Sequence, residues 1–445
     1  MSKNAEPNLP SGLSISIFIS VASIVLCLIT GWLWYYYDHP LFAITCLLGQ
    51  TVLISIVIWQ ACDPFADAAE FIGHQFRLPG SVRGATLDAV ASSMPELFTG
   101  IFFVVVLTLG GTGETEAARG AAGFSSTLAT CAGSAVYNMI LIPAICTIFI
   151  SFYRKSRPTI DIERRVITRD GAWFVAMEIL LIGFLMQQKI HWWMGVTFLV
   201  FYGLYVAILY IDVKRFQTKM KQIESLIVEG FSADQAILQL KSSGVKVSRD
   251  LAARFSGKGN PSSEPDQEVP FVAKVFFGSF HLILNQLTCW LIISVSTLVA
   301  AAACYWLVEV TKMTADKMGV DIFFVAVILA AAASSIPDTF LSVASARKGD
   351  DDGAVSNAFG SNIFDISVCI SIPLLVGSYL NDWNPIELDH QGPITGLQIM
   401  LASLTVITLL IISHNLQLTR RKAFLLCGLY AIFVAYAVLG SQGYF

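Results

Sequence analysis

A polar motif that occurs twice inside strongly apolar sequence is the feature that most constrains this chain. The first copy is Gly84–Gly100, GATLDAVASSMPELFTG, and the second is Ala331–Ala346, AAASSIPDTFLSVASA. Each copy places two serines, an apolar residue and a proline directly before a carboxylate. Acids and prolines are costly inside apolar membrane helices, so such a motif indicates a functional site. Its duplication predicts a fold built from two related halves.

A second short motif follows each copy, GSAVYN at Gly133–Asn138 and GSNIFD at Gly360–Asp365. In both, a serine precedes an amide or an acid by four residues. Residues four apart share a helix face, so each serine lies beside its amide or acid, and the paired serines of the first motif lie beside its carboxylate. The glycines of both motifs are expected to allow close helix packing. The predicted site residues are Ser92, Ser93, Glu96, Ser134, Asn138, Ser334, Ser335, Asp338, Ser361 and Asp365.

The two prolines add backbone oxygens to this set. Pro95 and Pro337 each remove an N–H, which predicts an interrupted helix at each copy and leaves the carbonyls of Ala91 and Ala333 in need of a partner. Carboxylate, amide, hydroxyl and carbonyl oxygens are the ligands of hard cations such as Ca²⁺, and they also suit several Na⁺ in alternation. Neither motif contains His or Cys, which argues against Zn²⁺, Cu⁺ and other soft metals.

Composition and hydropathy indicate a protein that crosses a membrane many times. Of 445 residues, 55% are hydrophobic and 13% are charged, whereas soluble domains carry roughly 25% charged residues. The nine cysteines occur singly, without a CxxC pair, and are interpreted as small core residues. Ten core spans are predicted, each near or above the roughly 20 residues that a crossing needs. They are 41–60, 82–109, 121–150, 171–188, 191–211, 275–308, 319–346, 353–379, 395–413 and 423–441.

The repeated motif falls on the second span of each group of five. An odd number of spans per unit means that the second unit enters the membrane from the opposite side, so the repeats are inverted. The predicted fold is an all-α polytopic membrane protein with ten core transmembrane helices in two inverted five-helix repeats, plus an extra N-terminal span at 13–34 that we expect to be retained rather than cleaved. The predicted domains are the tail and extra span 1–40, the first unit 41–211, a cytosolic loop 212–274 and the second unit 275–445.

Lysines and arginines are distributed unevenly between the two membrane faces that these spans define. The loops after odd-numbered core spans, together with Lys3, hold 24 of the 28 basic residues. We call this side, which includes Arg154 and Arg420, the basic face. Because basic loops remain on the cytosolic side of a membrane, the basic face and loop 212–274 are predicted to be cytosolic. The opposite face holds Arg119, Lys189, Lys312 and Lys317.

The paired motifs resemble the cation/Ca²⁺ exchanger superfamily and, within it, the Na⁺/Ca²⁺ exchangers. GATLDAVASSMPELFTG with GSAVYN is similar to the first alpha repeat of that family, and SSIPDTFLSVASARKGDDDGAVSNAFGSNIFD is similar to the second. The forms PELFTG, GSAVYN and GSNIFD look most like the K⁺-dependent branch. The resemblance implies alternating access by sliding of one helix group, with Glu96 and Asp338 as the central acids. It also implies that an acid at Asp365 accompanies K⁺ co-transport.

The sequence therefore predicts a secondary-active antiporter, not an enzyme, that exports Ca²⁺ in exchange for Na⁺, with K⁺ co-transport as a further hypothesis. The alternative is an H⁺-coupled Ca²⁺ or cation antiporter of the same superfamily. A passive channel fits inverted repeats with interrupted helices less well. An intramembrane aspartyl hydrolase is disfavoured because the run most similar to its motif, 348–350, lies in a loop. We expect a multi-pass plasma-membrane protein that works in a lipid bilayer with Ca²⁺ and Na⁺, without a cofactor or nucleic acid.

Asp88 departs from the family pattern, which usually has an uncharged residue there. It precedes Glu96 by eight residues, and its counterpart in the second repeat is Ala330. Two interpretations remain open: a proton or ion relay toward the site, or a structural partner for Arg83. Glu178, in the middle of the fourth core span, has no role that the sequence reveals.

Overall fold

The computed structural model describes residues 22–33, 39–110, 116–154, 158–187, 189–243, 286–388 and 391–442, with isolated positions between 245 and 255. Within these ranges the chain is a bundle of long helices. The first half comprises α1 Ala22–Leu33, α2 Pro40–Gln75, α3 over 80–110, α4 over 116–153, α5 over 164–185 and α6 Trp192–Val228. The second half comprises α7 Ala233–Ser242, α8 Gln286–Met318, α9 over 322–348, α10 over 351–380, α11 Gln391–Ser413 and α12 Arg420–Ser441.

The ten predicted core spans correspond to ten helices of this bundle. Nine of the described helices are long and apolar enough to cross a membrane, namely α2, α3, α4, α6 and α8 to α12. The tenth core helix, α5, is less apolar because it carries Arg169, Asp170 and Glu178. The ten-helix prediction is thus confirmed, although 275–285, at the start of the sixth predicted span, lies outside the described residues.

The extra N-terminal span is described only over α1. This helix contacts α2, because the Gln50 amide donates to the carbonyl of Cys27 at 3.3 Å and to the hydroxyl of Thr30 at 3.2 Å. Cys27 is buried in the same contact. The other residues of the predicted 13–34 span lie outside the described ranges.

Two small antiparallel sheets join the repeats, one on each side of the bundle. β1, Ile160–Asp161, follows α4 and pairs with β4, Gln417–Leu418, which follows α11. β2, Lys189–Ile190, follows α5 and pairs with β3, Ile386–Glu387, which follows α10. In each sheet the loop after the third helix of one repeat pairs with the loop after the fourth helix of the other. This reciprocal pairing is what an inverted two-fold relation between the repeats produces.

Four π-helical turns recur at matched positions in the two repeats. Gly84–Asp88 in α3 and Ala326–Ala330 in α9 each end eight residues before the acid of their motif. Asn138 and Asp365 are matched positions of the two repeats. The turn Tyr137–Leu141 in α4 begins one residue before Asn138, and the turn Asp365–Cys369 in α10 begins at Asp365 itself. A π turn accommodates an extra residue in a helix and is frequent at functional sites. The duplicated sequence is therefore duplicated in its irregular backbone as well.

Gly133 and Gly360 allow helices from opposite repeats to cross in backbone contact. A Cβ atom at Gly360 would lie 2.6 Å from the Cα atom of Ala85, and a Cβ atom at Gly133 would overlap the carbonyl oxygen of Val327. Ala85 and Val327 are the second residues of the matched π turns in α3 and α9. Both crossings therefore follow the same two-fold relation, and the prediction of close packing at these glycines is confirmed.

Two separate apolar clusters divide the bundle. The larger cluster joins α3 to α6 with α9 to α12, whereas the smaller one lies mainly between α2 and α8. The smaller cluster meets the rest of the bundle at Ala333 and at the partly buried Phe98 and Phe102, and α8 also contributes Val308 to the larger cluster. A helix pair with its own apolar contact can move as a unit against the remaining helices, as the predicted sliding mechanism requires. The buried residues shared by α2 and α8 are Leu47, Ile54, Ile58, Ala61, Cys62, Ala300, Ala303, Cys304, Leu307 and Val310.

The described part of the predicted cytosolic loop is helical. α6 continues past residue 211 to Val228, so the fifth core span and the first part of the predicted loop form one helix. α7 begins with a capping box, in which the Ser232 hydroxyl accepts from the Gln235 backbone N–H at 3.3 Å and the Gln235 side chain accepts from the Ser232 backbone N–H at 3.0 Å. The two helices share a small apolar cluster that includes Phe216, Met220, Ile223, Ile237 and Leu240. The predicted domain boundaries at 211 and 274 stay predictions.

Replacing Gly360 by alanine is expected to lower the free energy of unfolding by about 1–3 kcal/mol, because the new methyl group would push two packed backbones apart. Gly428→Ala is the matched control, since a Cβ atom at this helical glycine meets nothing within 4 Å. Thermal unfolding of both variants in detergent checks this expectation. Equal unfolding midpoints for the two variants would contradict the backbone contact.

Candidate cation-binding site

The two copies of the proline motif differ in backbone structure. In α9 the helix is interrupted at Ser335, with φ −85° and ψ 1°, and restarts with Pro337 in its first turn. In α3, Pro95 lies inside the continuous helix Ala89–Gly110, so the predicted interruption at the first copy is wrong. The missing N–H of Pro95 deprives a single carbonyl, that of Ala91, of its usual partner, and the bonds on either side hold the helix together.

The ten predicted site residues are all fully buried, each with 0% of its surface exposed. They come from α3 and α4 of the first repeat and from α9 and α10 of the second. Hydrogen bonds connect eight of them into one network. Of the other two, Ser334 donates to the carbonyl of Ala331 in its own helix at 3.2 Å, and the Ser93 hydroxyl is buried without a hydrogen-bond partner among the described residues. The eight connected residues are Ser92, Glu96, Ser134, Asn138, Ser335, Asp338, Ser361 and Asp365.

The Glu96 carboxylate is held by serines from both repeats. Its Oε1 atom accepts from Ser134 Oγ at 3.1 Å and from Ser335 Oγ at 3.1 Å. Ser134 Oγ also lies 3.1 Å from Asp365 Oδ2 and 2.8 Å from Ser335 Oγ. Because a hydroxyl group has one hydrogen, Ser134 cannot donate to both carboxylates at once. The network therefore holds more acceptor oxygens than its hydroxyls can satisfy.

The Asp338 carboxylate lies between the two third helices of the repeats. Its Oδ1 atom accepts from Ser361 Oγ at 2.6 Å, and its Oδ2 atom accepts from Asn138 Nδ2 at 3.4 Å. Ser361 Oγ in turn lies 3.1 Å from Ser92 Oγ. The bond from Ser361 to Asp338 in the second repeat corresponds to the bond from Ser134 to Glu96 in the first. The polar network thus follows the same two-fold relation as the glycine crossings.

Two buried oxygens of the network have no hydrogen-bond partner, Glu96 Oε2 and Asn138 Oδ1. Leaving such atoms without a partner costs about 1–3 kcal/mol each, and more for a charged group. Among the described residues, no group of three or more His, Cys, Asp and Glu side chains could hold a metal ion without other ligands. A hard cation bound here would therefore use hydroxyl and amide oxygens along with the carboxylates, and the unpartnered oxygens fit that demand.

Comparison with known families places this geometry in context. The family described as sodium/calcium exchanger protein matches residues 46–211 and 288–439, which include both repeats and every site residue. The chain belongs to the sodium/calcium exchanger family.

Individual relatives extend the match over most of the chain. Sodium/potassium/calcium exchanger 5 of Homo sapiens is 26% identical over 418 residues, covering 84% of this chain and 79% of that protein. Sodium/potassium/calcium exchanger 4 of Mus musculus is 22% identical over 522 residues, covering 88% of this chain and 80% of that protein. The resemblance stated from the motifs alone is thus confirmed.

Solved structures share the ten-helix inverted-repeat fold. The H⁺/Ca²⁺ exchanger CAX matches with a TM-score of 0.56 and 16% identity, covering 97% of this chain and 94% of that one. The sodium-calcium exchanger NCX_Mj matches with a TM-score of 0.50 and 18% identity, covering 87% of this chain and 98% of that one. The predicted fold class, an all-α polytopic membrane protein with ten core helices in two inverted five-helix repeats, is confirmed.

The thiol of Cys369 lies beside the site of this exchanger and was missed by sequence reasoning. Its Sγ atom lies 3.7 Å from Asp365 Oδ1 and 3.6 Å from the carbonyl oxygen of Ser93. Cys369 follows Asp365 by four residues at the end of a π turn, so helical spacing was the available signal. Cys369 lies outside both sequence motifs, so the absence of cysteine from the motifs did not exclude a thiol beside the site. The cysteines are all free, and eight of the nine are buried, as predicted for core residues.

The side chains of Asp88 and Glu178 form contacts outside the hydrogen-bonded network of the site, although the backbone carbonyl of Asp88 accepts from Ser92 Oγ at 2.9 Å. Asp88 Oδ2 pairs with Arg83 Nε at 3.1 Å, which is the structural interpretation left open above. Arg83 also pairs with Asp350 Oδ2 at 3.3 Å. Glu178 is buried between α5 and α11, where its Oε1 atom accepts from Thr405 Oγ1 at 2.8 Å.

Asp88→Asn is expected to leave Na⁺-dependent Ca²⁺ uptake within about twofold of wild type, because no group of the site network changes. The loss of one partner of Arg83 is expected to lower the free energy of unfolding by about 1–3 kcal/mol. Uptake assays across a range of pH, together with thermal unfolding, check both expectations. A shifted pH dependence of uptake with unchanged stability would instead support the relay.

Proposed function

We propose that this network binds Ca²⁺ and Na⁺ in alternation and that the protein exports Ca²⁺ from the cell in exchange for Na⁺. Exchange of Ca²⁺ and Na⁺ by alternating access agrees with family membership and with the confirmed fold. The observation that carries the site assignment is that Glu96, Asp338 and Asp365 share one fully buried network with unpartnered oxygens.

A comparison of buried acids supports a cation as the missing partner. Asp170 is as buried as the site acids, but its carboxylate accepts from the Arg169 guanidinium at 2.5 Å and 2.8 Å. Within the described residues, no lysine or arginine forms an ion pair with Glu96, Asp338 or Asp365. A buried carboxylate is strongly disfavoured unless it is paired, coordinates a metal or takes up a proton. A transported cation supplies the positive charge that these acids do not receive from a lysine or an arginine.

The same argument explains why two ions compete for the site. Three carboxylates carry at most three negative charges, enough for Ca²⁺ or for several Na⁺ but not for both loads at once. Na⁺ moving down its gradient then expels Ca²⁺ on the opposite side. Export, a plasma-membrane location and the absence of a resident cofactor belong to this proposal.

K⁺ co-transport is a further part of the proposal, centred on Asp365. The relatives named above are sodium/potassium/calcium exchangers, and Asp365 stands at the position where the first repeat has Asn138. Asp365 adds a third negative charge next to Ser134, which also contacts Glu96. An additional monovalent cation would neutralise that charge.

The deciding experiment uses purified protein in liposomes loaded with Na⁺ and diluted into Na⁺-free buffer containing Ca²⁺. Ca²⁺ uptake is expected to require internal Na⁺ and to rise when K⁺ is added outside. Uptake driven by a pH gradient without Na⁺ would select the H⁺-coupled alternative, which the fold shared with CAX keeps open. Uptake that needs no counter-ion would indicate a channel.

Glu96→Gln and Asp338→Asn are each expected to reduce Na⁺-dependent Ca²⁺ uptake by about a hundredfold or more, because a neutral amide cannot replace a charged ligand in a low-dielectric site. Glu178→Gln is the matched control, since it neutralises a buried acid that contacts Thr405 rather than the site. Size-exclusion profiles should be normal for all three proteins. Wild-type uptake in both site variants would refute the assignment.

Asp365→Asn is expected to retain Na⁺-dependent Ca²⁺ uptake while losing its stimulation by K⁺, because the substitution removes the charge that K⁺ would balance. The measurement is the ratio of uptake with and without external K⁺, which should fall to about one. An unchanged ratio would show that K⁺ acts elsewhere in the protein.

A further inference from the structure

A second polar layer lies between α9 and α10, one helical turn from the central network toward the basic face. Ser342 follows Asp338 by four residues, and Asn357 precedes Ser361 by four residues. Asn357 Nδ2 donates to Ser342 Oγ at 3.0 Å, and both residues are buried, with 1% and 0% of their surfaces exposed. Because the two helices run antiparallel, the contact between Asp338 and Ser361 and the contact between Ser342 and Asn357 form consecutive layers.

The amide oxygen of this layer is unsatisfied. Asn357 Oδ1 is buried and has no hydrogen-bond partner, whereas the nitrogen of the same amide is bonded to Ser342. An oxygen without a donor is destabilising by about 1–3 kcal/mol. Amide and hydroxyl oxygens are ligands of hard cations, so Asn357 Oδ1 and Ser342 Oγ offer a cation two neutral ligands.

The layer is enclosed on the side of α3 and capped toward the basic face. A Cβ atom at Gly84 would lie 2.6 Å from the carbonyl oxygen of Gly353 and 3.3 Å from the backbone nitrogen of Asn357, so α3 touches α10 directly here. Beyond this contact, Arg83 pairs with Asp88 and with Asp350.

A second arginine caps the same end of α9 and α10. Arg154 Nη2 pairs with Asp351 Oδ1 at 2.8 Å and donates to the carbonyl of Ala346. The polar layer therefore lies between the central network and a set of ion pairs at the basic face.

The two-fold related position in the first repeat has no such layer. The equivalents of Ser342 and Asn357 are Gly100 and Thr130, by their spacing from Glu96 and Ser134. Gly100 has no side chain, and Thr130 Oγ1 donates to the carbonyl of Ser126 in its own helix at 3.0 Å. The contact between α3 and α4 here runs from Thr127 Oγ1 to the backbone carbonyl of Gly100 at 3.0 Å, so two facing side chains like Ser342 and Asn357 do not meet. A polar layer needed only for helix packing would not be expected on one face alone. Its asymmetry points to a function on the path to the basic face.

We propose that Ser342 and Asn357 form a transit site that holds the transported cation between the central network and the basic face. This inference rests on the proposed function, since it assumes that the network carries Ca²⁺ and Na⁺. The two side-chain ligands are neutral, so a cation is held more weakly here than among the three carboxylates and can move on. The predicted sidedness makes this the cytosolic path, the one by which Ca²⁺ enters an exporter.

The test is Na⁺-dependent Ca²⁺ uptake measured separately from each membrane face, in inside-out and right-side-out vesicles from the same cells. Asn357→Ala and Ser342→Ala are expected to raise the half-saturating Ca²⁺ concentration at the basic face on the order of tenfold, about the effect of losing one polar contact. The value at the opposite face is expected to stay unchanged. Ser342→Thr, which keeps the hydroxyl group, should restore wild-type saturation.

Thr130→Ala is the matched control, because it alters the two-fold equivalent of Asn357 and should leave saturation at both faces unchanged. Equal changes at both faces, or none, in variants that retain Na⁺-dependent uptake at saturating Ca²⁺ would overturn the transit site while leaving the exchange function intact. Failure of Ser342→Thr to restore saturation would also overturn it. Absence of Na⁺-dependent uptake in the wild-type protein would instead refute the proposed function.

Discussion

Three carboxylates buried in one network, with no basic partner among the described residues, set the conditions that the rest of this protein must meet. Glu96, Asp338 and Asp365 are inaccessible to solvent and are bonded to hydroxyls, an amide and a thiol. Inside a low-dielectric bundle such charges repel one another and favour a bound cation. The surrounding helices must therefore hold the acids together when an ion is bound and tolerate the exchange of one ion for another.

Glycine at two symmetric positions makes this convergence possible. At Gly133 and Gly360 the helices cross in backbone contact, and each crossing partner belongs to a π turn. Without side chains at the crossings, serines and acids one turn away can reach across from one repeat to the other. Close packing of small residues is the main source of helix association in a bilayer, where burial of apolar surface contributes little. Packing and ligand geometry thus depend on the same residues.

The charged residues of the chain fall into groups that the structure separates clearly. Asp88, Asp170 and Asp351 each pair with an arginine near the basic face, and the pair of Asp351 with Arg154 joins α10 to the end of α4. The acids of the central network have no such partner within the described residues. Ser342 and Asn357 lie between the two groups and contribute neutral oxygens. From the basic face inward, an ion therefore meets ion pairs first, then neutral oxygens, and then the carboxylates of the central network. This order suits an ion that must enter, bind and leave again.

The sequence by itself determined the ten spans and their inversion and indicated the ten candidate site residues, because hydropathy, span parity and helical spacing are local properties of the chain. Only the tertiary structure decided that Pro95 leaves its helix continuous, that Asp88 pairs with Arg83, and that Cys369 contacts Asp365. The layer of Ser342 and Asn357 likewise emerged only from the packing of α9 against α10. These outcomes depend on which groups meet across helices that are distant in sequence, and local spacing carries no information about such contacts.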